Sequence, residues 1–154
     1  MAVSTAAQNK ELVERTLDEC WNKGDFDALS DLCHDDIRVL DDDGNTVAHG
    51  PQEFQKHVEA WRTAFPDFKV ETKELVAEDD TVVVRFMEEG TFKDKLTRGE
   101  LMGMEPTGKH YRSSGVAFHR IKDGKLAEFW VIDDSLNYAQ QLGVLPDDLS
   151  SVGS

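Results

Sequence analysis

Core-type positions at Leu12, Val13, Thr16, Leu17, Cys20 and Trp21 recur at helical spacing and predict an amphipathic helix over residues 5–22. The stretch "NKGD" ends it. Gly24 suits the left-handed position after a helix, and Asp25 can cap the next one. That second helix, "FDALSDLC", is expected to bury Phe26, Leu29 and Leu32. A short strand, "IRVL", and a turn-rich "DDDGN" follow. Gly50-Pro51 opens a third helix with proline in its first turn, where the missing N–H costs nothing. Phe54, His57, Val58, Trp61 and Phe65 share one face of that helix, and Pro66 stops it.

After Pro66 the period changes from about 3.6 to two. "KVETKELVA" and "TVVVRFMEEGTF" flank the acidic turn "EDD" as one hairpin, and "YRSSGVAFHRI" and "LAEFWVID" flank "KDGK" as another. "SLNYAQQLG" is a short closing helix with Gly143 as its stop, and the tail from about Pro146 is expected to be disordered. One domain over residues 5–145 follows. Helices first and a mostly antiparallel sheet later predict an α+β domain, with helices on one face of a curved sheet.

The second hairpin can be put in register. Asp123-Gly124 is a preferred pair for a two-residue loop, which sets Lys122 opposite Lys125 and His119 opposite Glu128. Continued strictly, the alternation puts Trp130, Ile132 and Asp134 on one face with His119, Ala117, Gly115 and Ser113. Val116, Phe118, Phe129 and Val131 take the other face, as does Asp133. Small residues opposite a tryptophan leave room, and a carboxylate at the rim of such a space is a candidate acid or base. Asp134 is that candidate. Asp134 or Ser135 can equally well cap the last helix.

Composition narrows the classes of partner. Thirty-one acids against 17 bases give a formal charge of −14, which disfavours nucleic acid and anionic membranes. No apolar run approaches the length of a membrane span, and the opening "MAVSTAAQNK" lacks a signal-peptide layout. A cytoplasmic location is expected. Cys20 and Cys33 form no CxxC motif and read as reduced thiols, and the five histidines show no metal-ligand spacing, so no metal is expected.

The segments "DGKLAEFWVIDDSLNYAQQLG", "MEPTGKHYRSSGVAFHRI", "WNKGDFDAL" and "AWRTAFPDFKVE" together resemble the SnoaL-like polyketide cyclases of the nuclear transport factor 2-like superfamily, over residues 10 to 143. The resemblance implies a cone of curved antiparallel sheet closed by three helices around an apolar pocket. It also implies a homodimer formed through the outer sheet face, here Val116, Phe118, Phe129 and Val131. Family cyclases close a ring by intramolecular aldol chemistry with a cavity Asp and no cofactor, and that position corresponds to Asp134. The chain departs from the family pattern at Leu40 and Phe92, where histidine is frequent.

On this reading Trp130 and Ile132 form the pocket wall, with His119, Glu128, Arg85, Trp21, His49 and Met104 as further substrate-binding candidates. Arg85 neutralises a buried acid such as Glu128, orients a substrate carbonyl, or pairs across its hairpin with Glu74. The connection "KDKLTRGELMGMEPTGKH" is a candidate apolar flap over the mouth. An apolar, polyketide-like small molecule is the expected partner. The alternative is a non-catalytic binding or interaction module on the same fold.

Overall fold

A computed structural model describes residues 4–98 and 101–148. Its elements run α1 (Ala6–Thr16), a π-helical continuation (Leu17–Asn22), α2 (Leu29–Leu32), β1 (Cys33–Leu40), β2 (Thr46–His49), α3 (Pro51–Ala64), β3 (Lys69–Glu78), β4 (Thr81–Thr91), β5 (His110–Lys122), β6 (Lys125–Asp133) and α4 (Ser135–Gln141). The strands form one sheet in the order β2-β1-β6-β5-β4-β3. The β1–β6 pair is parallel and the others antiparallel. This is the α+β architecture expected from the element order, with β2 as an added short edge strand. Part of the tail assigned as disordered, residues 149–154, lies outside the described residues. No helix among the described residues is long and apolar enough to cross a membrane.

Each helix starts and stops for a local reason. Thr5 and Gln8 form a reciprocal capping box at the start of α1. The backbone then widens, with the Lys23 N–H reaching the Asp18 carbonyl at 3.0 Å. Arg62 Nη1 donates to the carbonyls of Trp21 (2.6 Å) and Asn22 (2.9 Å), satisfying groups that the end of the helix leaves unpaired. Asn22 in turn bonds both the N–H and the carbonyl of Val70, which ties the widened turn to β3. Helix α3 begins at Pro51 after Gly50 in a left-handed conformation (φ 86°).

The second hairpin holds the decisive register. Its loop is as expected: Asp123 and Gly124 both have positive φ, and Lys122 pairs with Lys125. Ile121 still faces Leu126, but the next pair is Arg120 with Glu128. Ala127 is therefore an extra residue, a β-bulge, and every later position on β6 changes face. The cause is hydrophobic. Leu126 and Phe129 are three apart, both large and both buried, and strict alternation would turn one of them to water.

The bulge corrects four expectations. Phe129 (4% exposed) packs inside the cone and Val131 lines its cavity, so neither belongs to the outer face. Trp130 and Ile132 take their places outside, beside Phe118 and Val116. Ile132 is 48% exposed, and the Trp130 ring lies 5.3 Å from that of Phe118.

Candidate functional site

The concave face of the sheet and helix α3 enclose a cavity of about 540 Å³. Its wall is mostly apolar, drawing Leu17 and Trp21 from the first helix, Trp61 from α3, Phe68 and Val70 at the entry to β3, Phe86 from β4, and Phe129 and Val131 from β6. Into this wall β4 and β6 project two carboxylates, Glu88 and Asp133. Glu88 continues the inward row of Val82, Val84 and Phe86, and it is only 6% exposed. Asp133 is the last residue of β6, opposite Gly115 on β5.

A carboxylate in such surroundings loses its hydration, so Glu88 holds its proton far above the usual carboxyl range. Burial is the largest cause, followed by the charge of Asp133 and the proton that Glu88 shares with it. The Tyr111 hydroxyl lies against Glu88 and acts in the opposite sense. Tyr111 itself is fully buried, and its phenol is pushed well up by burial and by the two acids. Glu88 and Asp133 are thus a coupled pair: one neutral acid beside one partner carboxyl, backed by a phenol.

Two further groups give the cavity polarity. His57, half-buried on α3, is held neutral with its pKa lowered to about 4, chiefly by burial and then by the charge of Arg98. Its ring meets Trp21 edge-on at 6.1 Å. Arg98, Thr97 and Met102 reach the cavity from the connection between β4 and β5. Leu96 (2% exposed) and Leu101 (4%) anchor that connection in the core.

Of the residues expected at the site, Trp21 lines the cavity. Asp134 does not. It is exposed and caps α4, accepting from the Asn137 N–H at 3.4 Å. Trp130 and Ile132 face outward because of the bulge. Glu128 is outside as well, in ion pairs with Arg38 (2.7 Å) and Arg120 (3.6 Å) rather than beside His119. His119 is buried against Phe129, at a ring distance of 5.2 Å, and not on the cavity wall. Arg85 is exposed and pairs with Glu74 at 2.9 Å, the cross-hairpin alternative. His49 is exposed near Asp36, and Met104 yields its place at the mouth to Met102. Among the described residues no group of three His, Cys, Asp or Glu is placed to hold a metal ion. Cys20 and Cys33 are buried and unbridged.

Sequence reasoning missed Glu88, Asp133 and Arg98 as site residues. Glu88 had a signal, since the alternation that makes Val82, Val84 and Phe86 inward-facing carries on to it. Leu40 lines the cavity, while Phe92 is fully buried and stacks on Phe65 at 5.4 Å.

A curved sheet with helices packed around an acid-bearing apolar cavity is the architecture of the nuclear transport factor 2-like fold. Within that class the chain belongs to the SnoaL-like polyketide cyclase family, whose profile matches residues 11–142. AclR from Streptomyces galilaeus, a proposed hydroxylase, is 30% identical with a TM-score of 0.75, covering 94% of this chain and 86% of its own. A proposed polyketide cyclase from Acidithiobacillus ferrooxidans is 26% identical (TM-score 0.75; 94% and 99% covered). A proposed SnoaL-like cyclase from Jannaschia sp. CCS1 shares the fold at 23% identity (TM-score 0.78; 95% and 99%). No curated protein matches the chain.

Proposed function

We propose that the protein is a cofactor-independent acid/base catalyst acting on an apolar, polyketide-like molecule, with Asp133 as base and Glu88 as acid. The observation that supports this reading most is buried Glu88 coupled to half-buried Asp133 in the wall of a 540 Å³ apolar cavity. A cavity of this size matches a small organic ligand. Adjacent carboxyls with separated proton affinities are the arrangement that acid/base catalysis needs.

In the cyclisation form of the reaction, Asp133 removes a proton from a carbon beside a carbonyl. The resulting enolate attacks a second carbonyl of the same molecule, forming one C–C bond and an alkoxide. Glu88 protonates that alkoxide, and the proton held by Asp133 passes across the pair to restore the starting state. Isomerisation uses the same first step and returns the proton to a different carbon.

The test is hydrogen–deuterium exchange at the activated C–H of 2-tetralone, followed by NMR. Wild type is expected to accelerate exchange, and Asp133→Asn to lose roughly 10²–10⁴-fold of that acceleration. Exchange at the same rate in both proteins would leave the non-catalytic binding module as the better reading.

We also infer that two copies pair through the outer sheet face. The bulge collects Val116, Phe118 (40% exposed), Trp130 and Ile132 (48%) there, and large contiguous apolar surface on a soluble domain marks an interface.

A further inference from the structure

We propose that Arg98 recognises an anion at the cavity, so that the molecule taken up carries a carboxylate at a point separate from its reacting C–H. This names the substrate class of the site above and rests on that reading for the reacting end.

The charged residues that line the cavity differ in how they are satisfied. Asp41 accepts from the backbone N–H groups of Asp43 (3.0 Å) and Asn45 (2.8 Å). Asp42 accepts from Trp130 Nε1 at 3.3 Å, and Glu53 accepts from the His49 N–H at 2.6 Å. Glu88 and Asp133 engage each other. Arg98 is different: among the described residues no carboxylate lies within ion-pair distance of it. Of the other arginines, Arg15, Arg38, Arg85, Arg112 and Arg120 pair with carboxylates and Arg62 donates to backbone carbonyls, which leaves Arg98 on the cavity wall with neither kind of partner among the described residues.

Its surroundings favour a ligand rather than solvent as the missing partner. Leu96, two residues before Arg98, is nearly fully buried, and its carbonyl accepts from the Gly103 N–H at 3.2 Å. The neighbouring ring, His57, is neutral and offers no competing charge. The charge of Arg98 acts on His57, which places the guanidinium toward the α3 side of the cavity. A guanidinium fork in a partly apolar site matches a carboxylate in two parallel hydrogen bonds. The net charge of −14 selects against polyanions, so a single carboxylate on an apolar body fits best.

The experiment compares 2-naphthoate with 2-naphthamide, which have nearly the same shape and differ in charge. Binding is read from the fluorescence of Trp21 and Trp61, both on the cavity wall. Wild type at pH 7 is expected to bind the acid about tenfold more tightly than the amide. In Arg98→Gln the two should bind within about twofold, with the thermal melt unchanged. Arg85→Gln, an exposed arginine away from the cavity and paired with Glu74, should keep the full preference. Equal binding of both probes, binding of neither, or a preference that survives Arg98→Gln overturns the inference, as does a preference lost in Arg85→Gln. A wild type that prefers the acid but does not exchange 2-tetralone leaves Arg98 standing and removes the catalytic reading.

Discussion

Asp133 lies across Gly115 so closely that a side chain on the glycine has no room: a Cβ there would stand 2.9 Å from Asp133 Oδ1 and 3.0 Å from the Ile132 carbonyl oxygen. It would also meet the Phe86 ring at 2.5 Å. The ring tip can swing, but the β6 backbone cannot, so the acid is held where it is by the absence of one methyl group. Gly115→Ala is expected to cost about 1–3 kcal/mol through overpacking and to displace Asp133 from Glu88. Urea denaturation measures the first effect. The loss of 2-tetralone exchange measures the second, and exchange at the wild-type rate would show that the contact does not position the acid.

Glu88 links the site to stability through pH. Its folded pKa lies above its unfolded value because burial favours the neutral form. The folded state therefore holds a proton that the unfolded chain releases above about pH 4.5, and stability falls as pH rises until the folded pKa is passed. Glu88→Gln keeps a neutral donor toward Asp133 without that titration. Compared with the variant, wild type should lose stability as pH rises above about 4.5, by at most about 1.4 kcal/mol per pH unit until the folded pKa is passed, read from urea midpoints. A constant difference across that range would mean that Glu88 is ionised in the folded protein.

Two buried histidines act in the opposite direction. Burial lowers the pKa of His119 and of His57 to about 4 from the usual 6.5. The unfolded chain takes up protons first as pH falls, so stability contributed by the neutral rings is present above pH 6.5 and is lost between 6.5 and 4. For His119, 1% exposed, the whole loss is roughly 3 kcal/mol. His119→Leu should remove its share of the acid sensitivity while leaving unfolding at pH 7.5 nearly unchanged, since its one bond, to the Val82 carbonyl, is long at 3.4 Å. An acid slope as steep in the variant as in wild type would show that His119 is protonated without cost.

How far these features were legible in the sequence depends on whether local periodicity carries them. The α3 face with His57 and Trp61, the two hairpins and the Asp123-Gly124 loop all follow from spacing and turn chemistry. The family also follows, because its motifs span nearly the whole chain. The choice between Asp133 and Asp134 does not. It turns on one extra residue, Ala127, and alternation cannot register an insertion that serves only to bury both Leu126 and Phe129. The Leu126–Phe129 spacing is the one local hint. Arg98 and His57 are far apart in the chain and approach only through the tertiary fold, so no spacing could have joined them.

The same bulge gives the pairing surface its composition, and this can be tested without any ligand. With Trp130 and Ile132 outside, Phe118 stands in the middle of an apolar strip crossing β5 and β6, 40% exposed in one copy of the chain. A second copy laid against the strip would remove those side chains from water at about 25 cal/mol per Å² of apolar area. Wild type is therefore expected to sediment at twice the 17.3 kDa chain mass. Phe118→Glu adds a charge to each side of a two-fold contact, where the like charges meet, and should sediment at the mass of one chain. Its fold should survive, because the side chain already reaches solvent in the isolated chain. Wild type sedimenting as a single chain at every concentration would show that the strip pairs with something other than a copy of itself.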